Sequence, residues 1–414
     1  MTLSASIAAG FSALVLVISP TASAADWNQW RGPSRDGQVP KAKWPSSLGE
    51  TALKQVWRIE LSPSYSGPIV VGDRVFTTET VDKETETVRA LDRMTGKELW
   101  KQSWPGSMSM PFFAKANGDW IRATPACDGT SLYVAGIRDV LVCLNAATGE
   151  VRWRVDFVEK FKAVVPAFGF VSSPLVDYGA VYVQAGGAVV KLAKTTGKVL
   201  WRALDDGGGM SGSAFSSPII AELRGVRQLV VQTREKLAGL SLADGKVLWE
   251  QPVEAFRGMN ILTPVINGNS IFTSTYGGQT LLFDITNSEG RFKATALWSL
   301  KAQGYMCSPV VVDGVAYEHL KNQRVMAVDL KSGKGLWTTD KSYGKYWSLV
   351  ANGDRILALD QRGRLHLIKA NPAKYEEIDQ RQISDKETWA HLAVSGSDIF
   401  IRELNALTAW RWVE

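Results

Sequence analysis

Lys191-Leu-Ala-Lys-Thr-Thr-Gly-Lys-Val-Leu-Trp201 is the clearest of five copies of one stretch in this 414-residue chain. The others are Ala90-Leu-Asp-Arg-Met-Thr-Gly-Lys-Glu-Leu-Trp100, Cys143-Leu-Asn-Ala-Ala-Thr-Gly-Glu-Val-Arg-Trp153, Gly239-Leu-Ser-Leu-Ala-Asp-Gly-Lys-Val-Leu-Trp249 and Ala327-Val-Asp-Leu-Lys-Ser-Gly-Lys-Gly-Leu-Trp337. In each, Gly stands four residues before Trp and follows Thr, Ser or Asp. This is the grammar of a β-hairpin: a polar residue opens the turn, Gly supplies a positive φ, and an alternating strand leaves with Trp as its large apolar member. Five copies in one register mark a repeat architecture.

A second element recurs beside it. A small or polar residue and a proline precede a short β-rich segment at Ser66-Gly-Pro68, Thr124-Pro125, Ser173-Pro174, Ser217-Pro218, Thr263-Pro264 and Ser308-Pro309, with proline-free counterparts near Ser348 and His391. The unit reads as strand A after Ser/Thr-Pro, strand B, strand C, the Gly turn, and strand D ending around Trp. The tryptophans at 57, 100, 153, 201, 249, 298 and 337 are 39 to 53 residues apart. Four short strands at that period describe a propeller blade. The expected fold is all-β, an eight-bladed β-propeller of four-stranded blades. The last unit, His391 to Trp412, has room for three strands, and Leu53 to Glu60 is an orphan strand D. Their pairing closes the ring and removes the exposed sheet edges of an open array. Blade five departs from the pattern at Asp284-Ile-Thr-Asn-Ser-Glu-Gly290, and blade seven, Ser348 to Ile383, lacks both Gly turn and Trp. No helical segment of useful length is expected.

Composition is that of a globular protein, 45% hydrophobic and 21% charged. The net charge of +6 is spread among 41 acids without a basic run, which argues against nucleic-acid binding. Ile7 to Ile18 is apolar but too short to span a bilayer, and Ser19-Pro-Thr-Ala-Ser-Ala-Ala25 fits signal-peptidase cleavage. The expected layout is a signal peptide over 1–25, an N-terminal arm over 26–52 and one propeller domain over 53–414, in a monomer exported to the periplasm or secreted, with no transmembrane span in the mature chain. No Lys or Arg precedes the apolar run, as a signal would ordinarily have, and no Cys follows it to carry a lipid anchor at that point. Three widely spaced cysteines, Cys127, Cys143 and Cys307, do not make a disulfide framework and read as small buried strand residues.

The Asp/Asn-x-x-Thr-Gly-Lys-x-x-Trp pattern at blade spacing resembles the pyrroloquinoline-quinone-like (PQQ-like) propeller repeat, from Leu53 to the C-terminus. That family has the quinoprotein alcohol dehydrogenase-like fold and includes quinoprotein dehydrogenases as well as BamB, a non-enzymatic propeller of outer-membrane assembly. The arm Trp27-Asn-Gln-Trp-Arg-Gly-Pro-Ser-Arg-Asp-Gly37 looks like the opening of exported bacterial members. The resemblance implies that Trp57, Trp100, Trp153, Trp201, Trp249, Trp298 and Trp337 pack between blades, and the size of the indole ring argues the same.

In a propeller, the connections from strand D of one blade to strand A of the next gather at one mouth of the channel. Here they carry aromatic and basic residues. Tyr65, Trp120, Arg122, Phe170, Phe215, Arg257, Tyr305, Trp347, Trp389 and His391 are the expected ligand-binding set. An aromatic, partly cationic funnel suits a flat anionic ligand or a peptide. The resemblance admits an enzyme, a quinoprotein oxidoreductase using PQQ with Ca²⁺, which needs an adjacent Cys pair, hard oxygen ligands and an Asp base. No Cys-Cys pair occurs, and Asp119, Asp205 and Asp206 match no such motif. His319, His366 and His391 have no metal-ligand spacing, and Gly207-Gly-Gly209 lacks the ending of a phosphate loop. No catalytic or metal-ligating residue is assigned and no cofactor is expected. The reading is an exported, non-catalytic binding or scaffold propeller that engages a protein or small ligand at its mouth, with envelope protein assembly similar to BamB as the role.

Overall fold

The computed structural model describes residues 26–39, 44–208 and 214–413. Their strands form eight four-stranded antiparallel sheets arranged as an eight-bladed β-propeller. Blade one is typical, a meander of Ile69–Val71, Arg74–Val81, Thr85–Asp92 and Glu98–Pro105. Blade eight is built from both ends of the chain. Ala393–Ser395, Asp398–Arg402 and Ala406–Trp412 supply three strands, and Leu53–Glu60 adds the fourth, in register from Leu53 opposite Trp412 to Glu60 opposite Ala406. The innermost strands of blades eight and one lie side by side, so the ring is closed. The expected signal peptide, 1–25, lies outside the described residues.

Burial follows position within the blade. Strand B of blade three, Ala180–Ala185, is buried along its whole length, because neighbouring blades cover both faces. Outer strands such as Val151–Asp156 face solvent over much of their length. One short α-helix, Phe157–Phe161, follows that strand, with the Asp156 carboxylate accepting the Glu159 N–H at 2.9 Å.

The repeated stretch works as a lock between blades. Asp92 accepts from the backbone N–H of Thr95 at 2.8 Å and from the Thr95 hydroxyl at 2.6 Å, and Gly96 follows at φ 71°. The Gly of each turn then meets the Trp of the preceding blade: Gly96 faces Trp57, Gly149 faces Trp100, Gly197 faces Trp153, Gly245 faces Trp201 and Gly333 faces Trp298. The indole Nε1–H donates to a carbonyl of the same turn: Trp57 to Arg93, Trp100 to Ala146, Trp153 to Lys194, Trp201 to Leu242 and Trp298 to Leu330, at 2.9 to 3.3 Å. The glycine therefore answers two demands, a left-handed backbone and room for a ring.

Where the repeat lapses, the lock changes. Blade five replaces the Gly turn with a long hairpin, Thr280–Ser288 and Arg291–Leu300, turning on Glu289 and Gly290, both at positive φ. Deprived of a turn to dock on, Trp249 bonds inside its own blade, Nε1 to Gln228 Oε1 at 2.7 Å, over Gly239. Trp337 finds the Asn371 carbonyl in blade seven at 2.9 Å. Blade seven has no Trp to offer blade eight, and a segment of the arm takes its place. Leu48 is buried there, its N–H bonds to Asp379, and Arg381 donates to the carbonyls of Leu48 and Leu53. Trp44 packs on Trp412 with ring centroids 5.4 Å apart.

Candidate functional site

The Ser/Thr-Pro motif forms a belt around the channel. The Gly67 N–H donates to Thr124 Oγ1, Thr124 N–H to Ser173 Oγ, Ser173 N–H to Ser217 Oγ and Thr263 N–H to Ser308 Oγ, at 2.9 to 3.1 Å. Each of these bonds links one blade to the next. The motif is thus a device for joining innermost strands that share no sheet, and the following proline has no N–H to leave unpaired.

Through this belt runs the arm. Trp27 pairs with Val70 of blade one, Asn28 with Cys127 of blade two, and Gln38 with Ala351 of blade seven. Between these anchors the chain loops into the channel. Arg31 and Arg35 there are 0% and 2% exposed, and both have positive φ. Arg35 donates to the carbonyls of Ser173 at 3.0 Å and Pro174 at 2.8 Å, and Arg31 to that of Pro309. Burial draws Arg31 down to about 10 and Arg35 to about 9, so both remain cations at neutral pH. Neither makes an ion pair among the described residues.

Above the arm opens a cavity of about 380 Å³ at the D-to-A mouth. All eight inter-blade connections reach it, through Tyr65, Phe113, Phe168, Phe215, Arg257, Tyr305, Tyr346 and Trp389 in ring order. Its floor is Trp30 of the arm, held by Nε1–H donation to Thr263 Oγ1 at 3.0 Å and set edge-on against His391 at 5.0 Å. The wall is aromatic nearly all the way round: Tyr65 stacks on Trp389 at 5.0 Å, Tyr346 on Trp389 at 6.3 Å, Phe168 meets Phe215 at 5.6 Å, and Tyr276 meets Tyr305 at 5.1 Å. Burial pushes the Tyr65 phenol up to about 12.

Two cations and no carboxylate stand among the described lining residues. Arg122 is half-buried and held by the carbonyls of Gly118 at 2.8 Å and Trp120 at 3.2 Å. Burial lowers it to about 10, partly offset by Tyr65 and Asp119. Arg257 is exposed at the rim, at φ 51°, with its guanidinium 5.2 Å from the Phe256 ring. Phe112 and Phe113, on a 3₁₀ turn of the first long loop, are 85% and 50% exposed beside the same opening.

Of the ten residues expected at the mouth, Tyr65, Arg122, Phe215, Arg257, Tyr305 and Trp389 line the cavity, and four do not. Trp347 is 0% exposed and stacks on His366 and His319 at 5.1 and 5.7 Å, in the seam between blades six and seven. It is the first residue of strand A, so its side chain and that of Tyr346 point opposite ways, and Tyr346 takes the mouth. Phe170 is likewise buried, against Phe157; Gly169 at φ 74° reverses the chain, and Phe168 faces the cavity instead. Trp120 lies outside the lining under Lys83, whose Nζ is 5.9 Å from the ring. His391 is 4% exposed behind Trp27 and Trp30, and burial holds its imidazole down to about 3, hence neutral. Sequence reasoning missed Trp30, whose arm has no periodicity to place it, and Tyr276, which comes from a B-to-C turn.

Ca²⁺ requires several hard oxygen ligands. The described lining offers hydroxyls and one Asn but no carboxylate, and no group of three or more His, Cys, Asp or Glu elsewhere among the described residues could hold a metal ion. The residues present do not fit a Ca²⁺-bound quinone cofactor. The three cysteines are free and buried, and no described helix is long and apolar enough to cross a membrane.

A family model described as outer membrane protein assembly factor BamB matches residues 83–339, more than half of the chain. The chain belongs to this family. BamB of Yersinia pestis is 24% identical over 345 residues, covering 82% of this chain and 73% of its own length. The crystal structure of BamB from Moraxella catarrhalis superposes with a TM-score of 0.64 at 15% identity, over 87% of this chain and 98% of that one. Quinohemoprotein alcohol dehydrogenase from Comamonas testosteroni superposes at 0.52 with 11% identity, over 93% of this chain and 80% of that one. At such identities the two structures speak for the fold that BamB and the dehydrogenase share, and for nothing finer.

Proposed function

We propose that this chain is an exported, non-catalytic scaffold of envelope protein assembly that holds a polypeptide segment at its D-to-A mouth. One observation carries the reading: an aromatic bowl with two guanidiniums, no described carboxylate and exposed Phe112, Phe113 and Phe256 at its rim. Exposed aromatic surface around a concave site is what a receptor for apolar segments needs. Membership in the BamB family supports an assembly role. A rigid ring, locked seam by seam, keeps the bowl open without a bound partner, so little ordering is required on binding.

The test is site-specific photo-crosslinking. A photoreactive residue at Phe113 or Tyr305 is expected to capture an unfolded outer-membrane β-barrel protein diluted from urea, and the same residue at Lys101, on an outer strand, is not. Equal capture at all three positions, or none at the mouth, would overturn the assignment.

A further inference from the structure

We infer that the bowl reads the carboxyl end of a polypeptide, placing a free α-carboxylate on Arg122 and the last apolar or aromatic side chain against the ring wall. This rests on the reading of the mouth as a polypeptide-holding site, and names which part of the polypeptide it takes.

The bowl has a closed floor. Trp30 is bonded to Thr263 and backed by His391, and behind it the arm fills the channel between blades one and seven. A chain cannot thread through, so an occupant enters end-on. Charge then selects which end enters. Partly burying a cation is costly, and Arg122 uses its hydrogen bonds on neutral carbonyls and makes no ion pair among the described residues, with Asp119 acting on it only at longer range. A chain enters with either an ammonium or a carboxylate. The ammonium would face Arg122, Arg257 and the buried Arg31 behind the floor, and Glu387, which accepts from the Tyr65 hydroxyl at 3.4 Å, lies outside the lining. The carboxylate finds the Nη1 end of Arg122, since Nε and Nη2 are bonded to the Trp120 and Gly118 carbonyls, and a charge-assisted bond there is stronger than any a wall hydroxyl would give.

The size of the bowl suits a chain end. About 380 Å³ lies at the small end of ligand cavities and holds a terminal residue with part of its neighbour, not a folded domain. Tyr65, Trp389 and Tyr346, stacked on one another, give an aromatic wall for an incoming ring or branched aliphatic group to pack against. Arg257, exposed on the far side of the bowl from Arg122, is placed to attract the anion during approach without fixing it.

The inference is tested by calorimetric titration of the mature chain with an N-acetylated tetrapeptide ending in Phe, as the free acid and as the C-terminal amide. The acid is expected to bind about tenfold tighter or more, the yield of one charge-assisted hydrogen bond. Arg122→Gln should abolish that preference and Arg122→Lys should keep part of it. Arg257→Gln should weaken the acid mildly at low salt and leave the amide unchanged. Acid and amide binding equally, or 3-phenylpropionate binding as tightly as the peptide, would overturn the inference, and so would absence of binding by either. Because the acid–amide comparison uses the unaltered protein, it stands even if the Arg122 variants fold poorly. Crosslinking of an unfolded barrel protein at Phe113 with no acid preference would sink the carboxylate reading and leave the scaffold reading in place; loss of the crosslink would sink the scaffold reading itself.

Discussion

Replacing Gly197 with alanine tests the inter-blade lock at one atom. Gly197 sits at φ 68°, and a Cβ there would lie 2.7 Å from Cε3 of Trp153 and 3.1 Å from Cγ2 of Val155. Gly225 is the matched control, with φ 76° and nothing within 4 Å of the same atom. Both substitutions force alanine into the left-handed region, at about 1–2 kcal/mol. Only Gly197→Ala must also displace an indole that is wedged against the next blade and bonded to the Lys194 carbonyl at 2.9 Å. Removing a fully buried Trp outright costs about 3–5 kcal/mol, and Trp153 is half-buried, so its partial displacement adds roughly 2 kcal/mol. Urea denaturation followed by circular dichroism should show Gly197→Ala losing about 3–4 kcal/mol and Gly225→Ala about 1–2. In a Trp153→Ala background the Gly197 substitution should fall to the control value, a coupling of about 2 kcal/mol. Equal losses at the two glycines, or no coupling with Trp153, would refute the lock.

Deleting Leu53–Glu60 removes the fourth strand of blade eight, and the truncated chain should lose its cooperative unfolding transition; melting like the full chain would refute the closure. Glu318 is fully buried, donated to by Thr280, and burial pushes its carboxyl up from 4.5 to about 7. The unfolded chain releases that proton above 4.5 while the folded chain holds it until about 7, so this group lowers stability as pH rises between those values and the loss is complete above them. Glu318→Gln should therefore gain on the order of 2–3 kcal/mol relative to the native chain between pH 4.5 and pH 8, and an unchanged pH dependence in urea denaturation would refute the assignment. Burial pushes the Cys143 thiol up to about 11 and those of Cys127 and Cys307 to about 12, so all three should resist a thiol-specific chromogenic reagent in the native state and react fully in denaturant.

How far the chain could be read depended on the range of the interaction. The Gly turn and its Trp are four residues apart and obey backbone sterics, so its five copies were visible, and the eight strand-A starts, six marked by Ser/Thr-Pro and two near Ser348 and His391, gave eight blades. The closing strand was legible because an orphan strand D and a blade one strand short are complementary features of one sequence. Ser/Thr-Pro was legible as a marker, but its work was not, since each hydroxyl serves the N–H of a different blade. At the mouth, composition placed aromatics and arginines on the right connections, yet it could not choose between Tyr346 and Trp347 or between Phe168 and Phe170. One residue of parity or one glycine decides which ring faces the cavity.

By itself, then, the sequence determined the repeat, the blade count, the closure and the connections that meet at the mouth, because each is written in local spacing and strand periodicity. Tertiary structure alone decided that the arm enters the channel, that Leu48 and Trp44 fill the seam where blade seven lacks its Trp, and that Trp30 floors the bowl above two buried arginines. The arm has no periodic pattern of its own. Its path is set by carbonyls and hydroxyls that the closed ring turns inward, and those partners come together only once the ring has formed.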